Sequence, residues 1–468
     1  MPSTTLMTKT SSPEAETSNS FVERWLLAPK LIFFCIGAIK CCMGSSILRN
    51  GYTNWGLDMC ESSPSGLVHI ASIIGTLVLS KIADKSKMYR YTMAVCVIGY
   101  ALLVLAMGFP SVPLSINPSS RFMLFQLLQA LQQIFLAGFY PIANALVLNK
   151  LSSKSKDSYG RQRMFAPLGY LSSVLFYRAL LYFYELKEFD FIVYLRVLVF
   201  LSVLFLVALI IFKCSEMRDQ PDKNFEIIEK PNSQVSLYPQ YSNQPATIVQ
   251  KNESNSVSPF KKVFTDPKFF ILFIAFIIAG FNGAYVKLSY IYLIVKLTSV
   301  NYFRIDTLYD IGSFCLIGLA EASVYFFDER ITQALGDSWM MAIGYALLIL
   351  RTLAFTFMTK ESINMTLFIS YLTQGITTGL ISLSAVHFAS ELAAGATSAT
   401  AQSIFDVPLS SLAIFLTLLF MNFYGHGRSG SISVAYIVIS IIGAITLIPV
   451  MFLDKIFPKK SSQKTSFV

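Results

Sequence analysis

The sequence predicts an all-α membrane protein with twelve transmembrane helices in two six-helix bundles. Of its 468 residues, 54% are hydrophobic and only 14% are charged, and the mean hydropathy is +0.57. Apolar stretches of about 20 residues, long enough to cross about 30 Å of hydrocarbon, recur between short polar breaks. A single long polar segment interrupts this pattern near the middle of the chain. This composition excludes an ordinary soluble protein.

The twelve helices follow from the apolar stretches in chain order. We expect them at residues 30–49, 64–83, 91–110, 122–148, 164–184, 191–213, 269–296, 307–327, 338–358, 364–390, 400–424 and 432–454. The polar segment 214–267 has no helical or strand period, which is typical of a disordered linker. Two bundles joined in this way are expected to rock against each other about a central site.

The domain boundaries and the orientation follow from the same pattern and from the basic loops. The loops "KIADKSKMYR" and "NKLSSKSKDSYGRQR" are basic, whereas the alternate loops "NGYTNWGLDMCESS" and "PSVPLSINPSS" contain no Lys or Arg. The positive-inside rule therefore places both termini in the cytoplasm. We expect a disordered cytoplasmic segment at 1–28, bundles at 29–213 and 268–455, a cytoplasmic linker at 214–267 and a cytoplasmic tail at 456–468. The plasma membrane is the expected location.

Several function classes are not expected. The net charge of +10 is explained by the loops beside the helices, so no nucleic-acid partner is predicted. The seven cysteines lack metal-ligand spacing. The chain has no Gly-rich phosphate loop of the Lys-Ser/Thr type and no catalytic constellation. We therefore expect neither an enzyme nor a protein with a cofactor or metal.

Five short stretches resemble the major facilitator superfamily, and in particular the branch of lactose permease, nucleoside proton symporters and their uncharacterised eukaryotic relatives. They are the Asp-Lys turn "ADKSKMYR", "YGRQRMFAPLGY", "LAEASVYFF", "LILRTLAF" and "TQGITTGLISLSAVHFASELAAGATSATAQ". The resemblance implies alternating access. It also implies gating residues in the turn and at the start of helix five, namely Asp84, Lys85, Arg90, Arg161 and Arg163.

The chain departs from this branch on helix ten. Gln374 and Thr377 stand where sugar symporters of the lactose type have His and Glu one helical turn apart. Neither side chain carries a proton at neutral pH. The resemblance therefore implies neither proton coupling through helix ten nor the identity of the substrate.

Ionisable residues inside the predicted helices are the leading site candidates, because such residues are rare and usually functional in membranes. Glu321 lies near the middle of its helix, and we expect it to pair with Arg351 or Lys287. The pair either fixes two helices together or binds solute or a proton. Arg196 and Asp406 lie within about two turns of predicted helix ends, from which such side chains can reach water.

Lys40 and Arg178 have no obvious carboxylate partner within the first bundle. An unneutralised cation facing a wet cavity favours an anionic or zwitterionic solute. The alternative is that Lys40 pairs with an acid on a neighbouring helix.

Polar and aromatic side chains complete the candidate cavity. They could bind a solute or hold helices together through hydrogen bonds. The candidates are Gln129, Gln133, Tyr140, Asn282, Tyr285 and Gln374.

The sequence therefore predicts a secondary active or facilitative transporter of a small polar solute, which is anionic or resembles a sugar or nucleoside. Protons are a candidate second partner, as in a symporter, and the lipid bilayer is the third. The alternative is a non-transporting receptor or scaffold on a transporter fold.

Overall fold

The computed structural model describes residues 27–41, 66–107, 117–151, 159–183, 191–218, 266–298, 315–392, 399–424 and 429–456. Within these ranges the only regular secondary structure is helical. The predicted amino-terminal segment, the outer loops and all but the edges of the predicted linker lie outside the described residues. The division at 214–267 therefore stays a prediction.

The described helices match the twelve predicted ones in order. The first half, α1 to α6, consists of Leu27–Cys41, Gly66–Ser86, Tyr89–Met107, Pro118–Ala137 continuing as Phe139–Leu151, Tyr159–Arg163 continuing as Phe165–Phe183, and Phe191–Arg218. The second half, α7 to α12, begins with Pro267–Thr298 and Cys315–Phe326. It continues with Asp328–Thr356, Ile363–Leu392, Ala399–Tyr424 and Ser429–Met451, which a short turn at Leu453–Ile456 follows.

Helices α6, α9 and α11 are among those that depart from the expected bounds or regularity. Helix α6 extends to Arg218, so the predicted linker begins within a helix. Helix α9 begins at Asp328, ten residues before the predicted start. The helix is broken at Gly336, where φ is 75°, a value that glycine adopts without strain. Helix α11 contains a π-helical turn at Pro408–Leu412, where proline removes a backbone donor.

Eight of these helices are long and apolar enough to cross a membrane. They are α2, α3, α4, α6, α7, α9, α11 and α12. The other four do not meet that length and hydropathy test within the described residues. Large apolar side chains such as Leu102 (60% exposed) and Ile445 (64% exposed) cover the outer surface. An apolar surface of this kind suits contact with lipid and not with water.

Close helix packing holds each half together. A side chain at Gly37 of α1 would place its Cβ 1.8 Å from the carbonyl oxygen of Ala166 on α5. In the second half, a Cβ at Gly280 of α7 would lie 2.3 Å from the carbonyl oxygen of Leu409 on α11. Because backbones this close exclude any side chain, small residues determine the contacts, as is common in membrane helices.

The two halves meet through α2 against α11 and through α5 against α8. The hydroxyl oxygens of Ser72 and Ser411 are 2.6 Å apart and buried. A Cβ at Gly160, at the start of α5, would lie 2.5 Å from the carbonyl oxygen of Tyr325 on α8. These two contacts position the charged side chains that lie between the halves.

Candidate functional site

Five charged side chains from both halves form a central charge cluster: Lys40 of α1, Arg163 of α5, Lys287 of α7, Glu321 of α8 and Asp406 of α11. Asp406 has the strongest electrostatic interaction with Lys40, followed by Arg163, Glu321 and Lys287. Both carboxylates come from the second half. The cluster therefore joins cations of the first half to anions of the second.

Tyr140 on α4 lies beside the Lys40 ammonium. The Lys40 Nζ is 3.9 Å from the centre of the Tyr140 ring, a distance typical of a cation–π contact. Tyr140 also interacts electrostatically with Glu321, Arg163 and Asp406. The structure therefore brings Lys40, Tyr140, Lys287 and Glu321 together, four of the residues singled out from the sequence.

The expected pairing of Glu321 with Arg351 is wrong. The Glu321 Oε1 accepts a hydrogen bond of 2.9 Å from the Tyr325 hydroxyl, one helical turn along α8. Its cationic neighbours are Arg163 and Lys40 of the first half. Chain order suggested Arg351, but the contact between α5 and α8 brings the cations of the other half closer.

Arg351 instead lies among neutral partners inside the second half. Its Nε donates to the Ser370 hydroxyl and its Nη2 donates to the Gln374 Oε1, both at 2.9 Å. Arg351 is 5% exposed, and the rings that interact with it are Tyr290, Tyr371 and Tyr436. Arg351 and Gln374 thus form an inner polar group that is separate from the central charge cluster.

Arg163 was expected at a gate, and it is also a buried member of the central charge cluster. Its Nη1 donates to the Tyr159 hydroxyl at 3.0 Å, and that hydroxyl donates to the Asn144 Oδ1 at 2.7 Å. The guanidinium carbon is 5.7 Å from the centre of the Tyr140 ring and 5.4 Å from that of Tyr325. Aromatic faces from both halves therefore surround this cation.

Both expectations for Lys40 stay predictions, but the structure shows which acids are near it. Among the described residues, the carboxylates that interact electrostatically with Lys40 are Asp406 and Glu321, both of the second half. Their attraction favours the alternative of a lysine near acids of neighbouring helices over an uncompensated cation. Arg178 lies on α5, and its side chain is outside the described part.

The remaining polar candidates lie within the halves. Asn282 is buried, and its Oδ1 accepts a hydrogen bond from the Thr352 hydroxyl. The Tyr285 ring packs edge-on against that of Tyr436, with centroids 5.4 Å apart. On α4, Gln129 is buried and Gln133 is half-buried. These contacts are typical of helix packing.

Asp84 joins the halves at the end of the molecule that carries the basic loops, called here the basic end. Its Oδ1 accepts from the backbone N–H of Ala399 at 2.9 Å, and its Oδ2 accepts from the N–H and the hydroxyl of Thr400. These N–H groups open α11, so the carboxylate caps the helix and meets the positive end of its dipole.

Asp328 repeats this arrangement at α5. It is buried and accepts a backbone hydrogen bond from Gly160. The end of α2 and the start of α9 thus each supply an aspartate to the first residues of a helix in the opposite half. Asp84 lies in the stretch "ADKSKMYR" and Asp328 opens the stretch "DERITQALG", and in each of them a basic residue follows the acidic one.

The other expected gating residues are more exposed. The Arg161 Nη2 lies 3.3 Å from the Glu329 Oε2, in an ion pair between the halves. Lys85 is exposed and Arg90 is half-buried. The gating roles of all these residues stay predictions.

Sequence reasoning missed Tyr325 and undervalued Asp406. Tyr325 follows Glu321 by four residues, a spacing that places both on one helix face. Asp406 was assigned to a helix end, because the sequence does not show that α11 packs against α2 there. Within the described residues, no group of three or more His, Cys, Asp or Glu side chains could hold a metal ion.

Comparisons with known proteins identify the family and the fold. The model of the MFS_1 like family matches residues 64–418. A crystal structure of the nucleoside transporter NupG is similar in fold, with a TM-score of 0.58 and 14% identity. A second NupG structure, of a point mutant, has the same TM-score and 13% identity. Each comparison covers 92% of this chain and 99% of the other. No curated protein sequence matches the chain significantly.

The family match and the fold together distinguish between the two expected classes of protein, a transporter and a receptor or scaffold. The matched region includes α2 to α10 and most of α11, which contain every charged residue of the central cluster except Lys40. A membrane transporter is supported, and the receptor or scaffold alternative is not favoured. The chain belongs to the MFS_1 like family, and it is an integral membrane transporter with the major facilitator fold.

Proposed function

We propose that the protein moves a small polar solute across the membrane by alternating access, with the central charge cluster as its binding site. One observation carries the proposal: oppositely charged side chains from the two halves, on α1, α5, α8 and α11, are close enough to interact electrostatically. When two halves rock apart, such charges separate. In a low-dielectric site that separation is costly unless a solute or proton replaces the lost partner.

The chemistry of the cluster fits a solute with several hydrogen-bonding groups. Glu321 and Asp406 accept from hydroxyl or amino groups, Lys40 donates, and the Tyr140 ring offers an aromatic face. A nucleoside combines these features. The similarity to the nucleoside transporter NupG also supports testing nucleosides first. Three cations face two carboxylates in the cluster, so an anionic solute is the second class to test.

Proton coupling is proposed through Glu321. As the halves separate, Lys40 and Arg163 would move away from this carboxylate with the first half. A proton would then neutralise it in the apolar surroundings. Helix α10 offers no equivalent group at Gln374 or Thr377, which supports assigning this step to α8.

The orientation follows from the basic loops. Their positive charge supports a cytoplasmic basic end with both termini on that side. Because the basic end is closed by the contacts of Asp84 and Asp328, this conformation would keep the site from the cytoplasm. The plasma membrane remains the proposed location.

Uptake into proteoliposomes tests the proposal. The purified protein is supplied with uridine, lactose or glutamate, with and without an inward proton gradient. We expect uridine uptake above that of empty vesicles and a stimulation by the gradient. If none of the three solutes enters faster than into empty vesicles, the proposed solute classes are wrong.

A matched pair of variants tests the site. Glu321→Gln removes the charge without changing the shape, and we expect uptake to fall by about tenfold or more, since charged hydrogen bonds contribute about 1.5–3 kcal/mol. Glu361→Gln makes the same change at an exposed position outside the cluster and should leave uptake unchanged. Normal uptake by Glu321→Gln would reject the site while leaving the fold intact.

A further inference from the structure

Tyr325 connects the central charge cluster to the contact that closes the basic end. Its hydroxyl donates to the Glu321 Oε1 at 2.9 Å, and its ring centre lies 5.4 Å from the guanidinium carbon of Arg163. The side chain is 1% exposed. One buried side chain therefore touches both the carboxylate of the site and a cation of the opposite half.

The backbone at Tyr325 adds a second connection to the same place. Its carbonyl oxygen faces Gly160, where a Cβ would lie only 2.5 Å away. Three residues further on, Asp328 accepts from the Gly160 N–H. The end of α8 thus holds the start of α5 through the Tyr325 ring and a close backbone approach, and the first residue of α9 adds a helix cap.

On the opposite side of this contact, Arg163 is held firmly in place. Tyr159 accepts from its Nη1 at 3.0 Å and is itself anchored to Asn144. Tyr159, like Tyr325, is 1% exposed. Because Arg163 is anchored to its own half, the position of the Tyr325 ring determines whether the cation–π contact between the halves forms.

We propose that Tyr325 is the positioning residue through which occupation of Glu321 opens the basic end. A solute that donates to Glu321 competes with the Tyr325 hydroxyl for the same carboxylate. Once that hydrogen bond is lost, the ring is no longer held against Arg163, and the contact between α5 and α8 weakens. The inference rests on the proposed function for the identity of the site, and it adds the route from site to gate.

The reporter for the test is a cysteine at a buried position between the halves. Ala399 is fully buried at the start of α11, and it donates to Asp84 through its backbone N–H, which a cysteine retains. Ala399→Cys is introduced into the full-length chain in vesicles. The rate of labelling by N-ethylmaleimide at position 399 is measured by mass spectrometry, which distinguishes it from the native cysteines.

Without solute, Tyr325→Phe keeps the ring and removes the hydrogen bond to Glu321. We expect labelling at position 399 to rise by about tenfold, since a hydrogen bond to a charged group contributes about 1.5–3 kcal/mol. Tyr325→Leu also removes the aromatic face and should label faster still. Labelling of Tyr325→Phe at the unmodified rate would overturn the proposal.

Tyr345→Phe is the matched control. Tyr345 is a fully buried tyrosine whose hydroxyl donates to the Ala275 carbonyl oxygen, entirely within the second half. Its removal should leave labelling at position 399 unchanged. An equal rise in both variants would mean that any lost tyrosine hydrogen bond loosens the fold, which also overturns the proposal.

Uridine separates this proposal from the proposed function. In the unmodified protein we expect saturating uridine to increase labelling at position 399, whereas in Tyr325→Phe it should add little, because the bond it displaces is already absent. An unchanged uridine response in Tyr325→Phe rejects the role of Tyr325 while transport stands. If uridine is neither transported nor alters labelling in the unmodified protein, both proposals fail for nucleosides.

Discussion

Glu321 and Arg351 are both ionisable residues within apolar helices of the second half, and they lie in opposite environments. Glu321 faces cations of the other half and accepts a hydrogen bond from Tyr325. Arg351 is held by neutral oxygens of Ser370 and Gln374. A charge inside the membrane therefore does not by itself identify the site. What distinguishes Glu321 is that the cations near it, Arg163 and Lys40, belong to the other half.

The largest effect is expected at Lys40, where a substitution tests whether charges shared between the two halves are needed for uptake. Lys40→Gln removes one of the two cations that Asp406 and Glu321 share, and Arg163 is the other. Breaking a buried charge pair costs about 3–5 kcal/mol, so we expect initial uptake per folded carrier to fall by about a hundredfold or more. The measurement is uptake of uridine and glutamate into proteoliposomes.

A double variant supplies the control for Lys40. Lys40→Gln combined with Asp406→Asn removes both members of the strongest interaction. We expect the uptake of this double variant to be about tenfold higher than that of Lys40→Gln alone. Absence of any recovery would contradict a compensating pair. A larger loss for glutamate than for uridine in the single variant would support a role of the positive charge in solute choice, and equal losses would remove that role.

The next largest effect should be on stability at Arg351. Arg351→Gln removes two charge-assisted hydrogen bonds within the second half, and we expect the free energy of unfolding to fall by about 1.5–3 kcal/mol. Uptake per folded carrier should change by less than about twofold, since the partners of Arg351 among the described residues all belong to the second half. Thermal unfolding in detergent and uptake are measured together. A loss of uptake as large as that of Lys40→Gln, at unchanged stability, would break the comparison.

A smaller effect is expected at the cap of α11. Asp84→Ala removes the carboxylate that accepts from Ala399 and Thr400, and loss of an N-cap costs about 0.5–2 kcal/mol. Labelling of the Ala399→Cys reporter should therefore rise severalfold. Asp328→Ala, at the corresponding cap of α5, should act in the same direction. Opposite effects of the two variants would show that the two caps are not equivalent.

The smallest effect should come from the exposed ion pair. Arg161 and Glu329 are 57% and 36% exposed, and such pairs contribute about 0–1 kcal/mol. Arg161→Gln should therefore change reporter labelling by less than about twofold. A change as large as that of Asp84→Ala would mean that this surface pair is a main element of the gate.

The helices themselves were predictable because each apolar stretch encodes its own secondary structure. The sequence also identified Glu321 and Lys40, since an uncompensated charge in an apolar helix is visible without a structure. Their partners were not predictable, because helices adjacent in the chain are not the nearest in space. By chain order, Arg351 on the next helix is the arginine nearest to Glu321. In the structure the neighbouring arginine is Arg163, which precedes Glu321 by more than 150 residues in the chain.

The sequence by itself determined the fold class, the order of the helices and the small set of charges inside the membrane, because hydrophobic burial and the cost of charge in lipid act on local segments. Only the tertiary structure decided which charges meet. Small residues such as Gly160 allow α5 to approach α8, and the caps of Asp84 and Asp328 hold the opposing helices at the basic end. Pairing depends on which helix faces pack together, and that is a property of the two assembled halves.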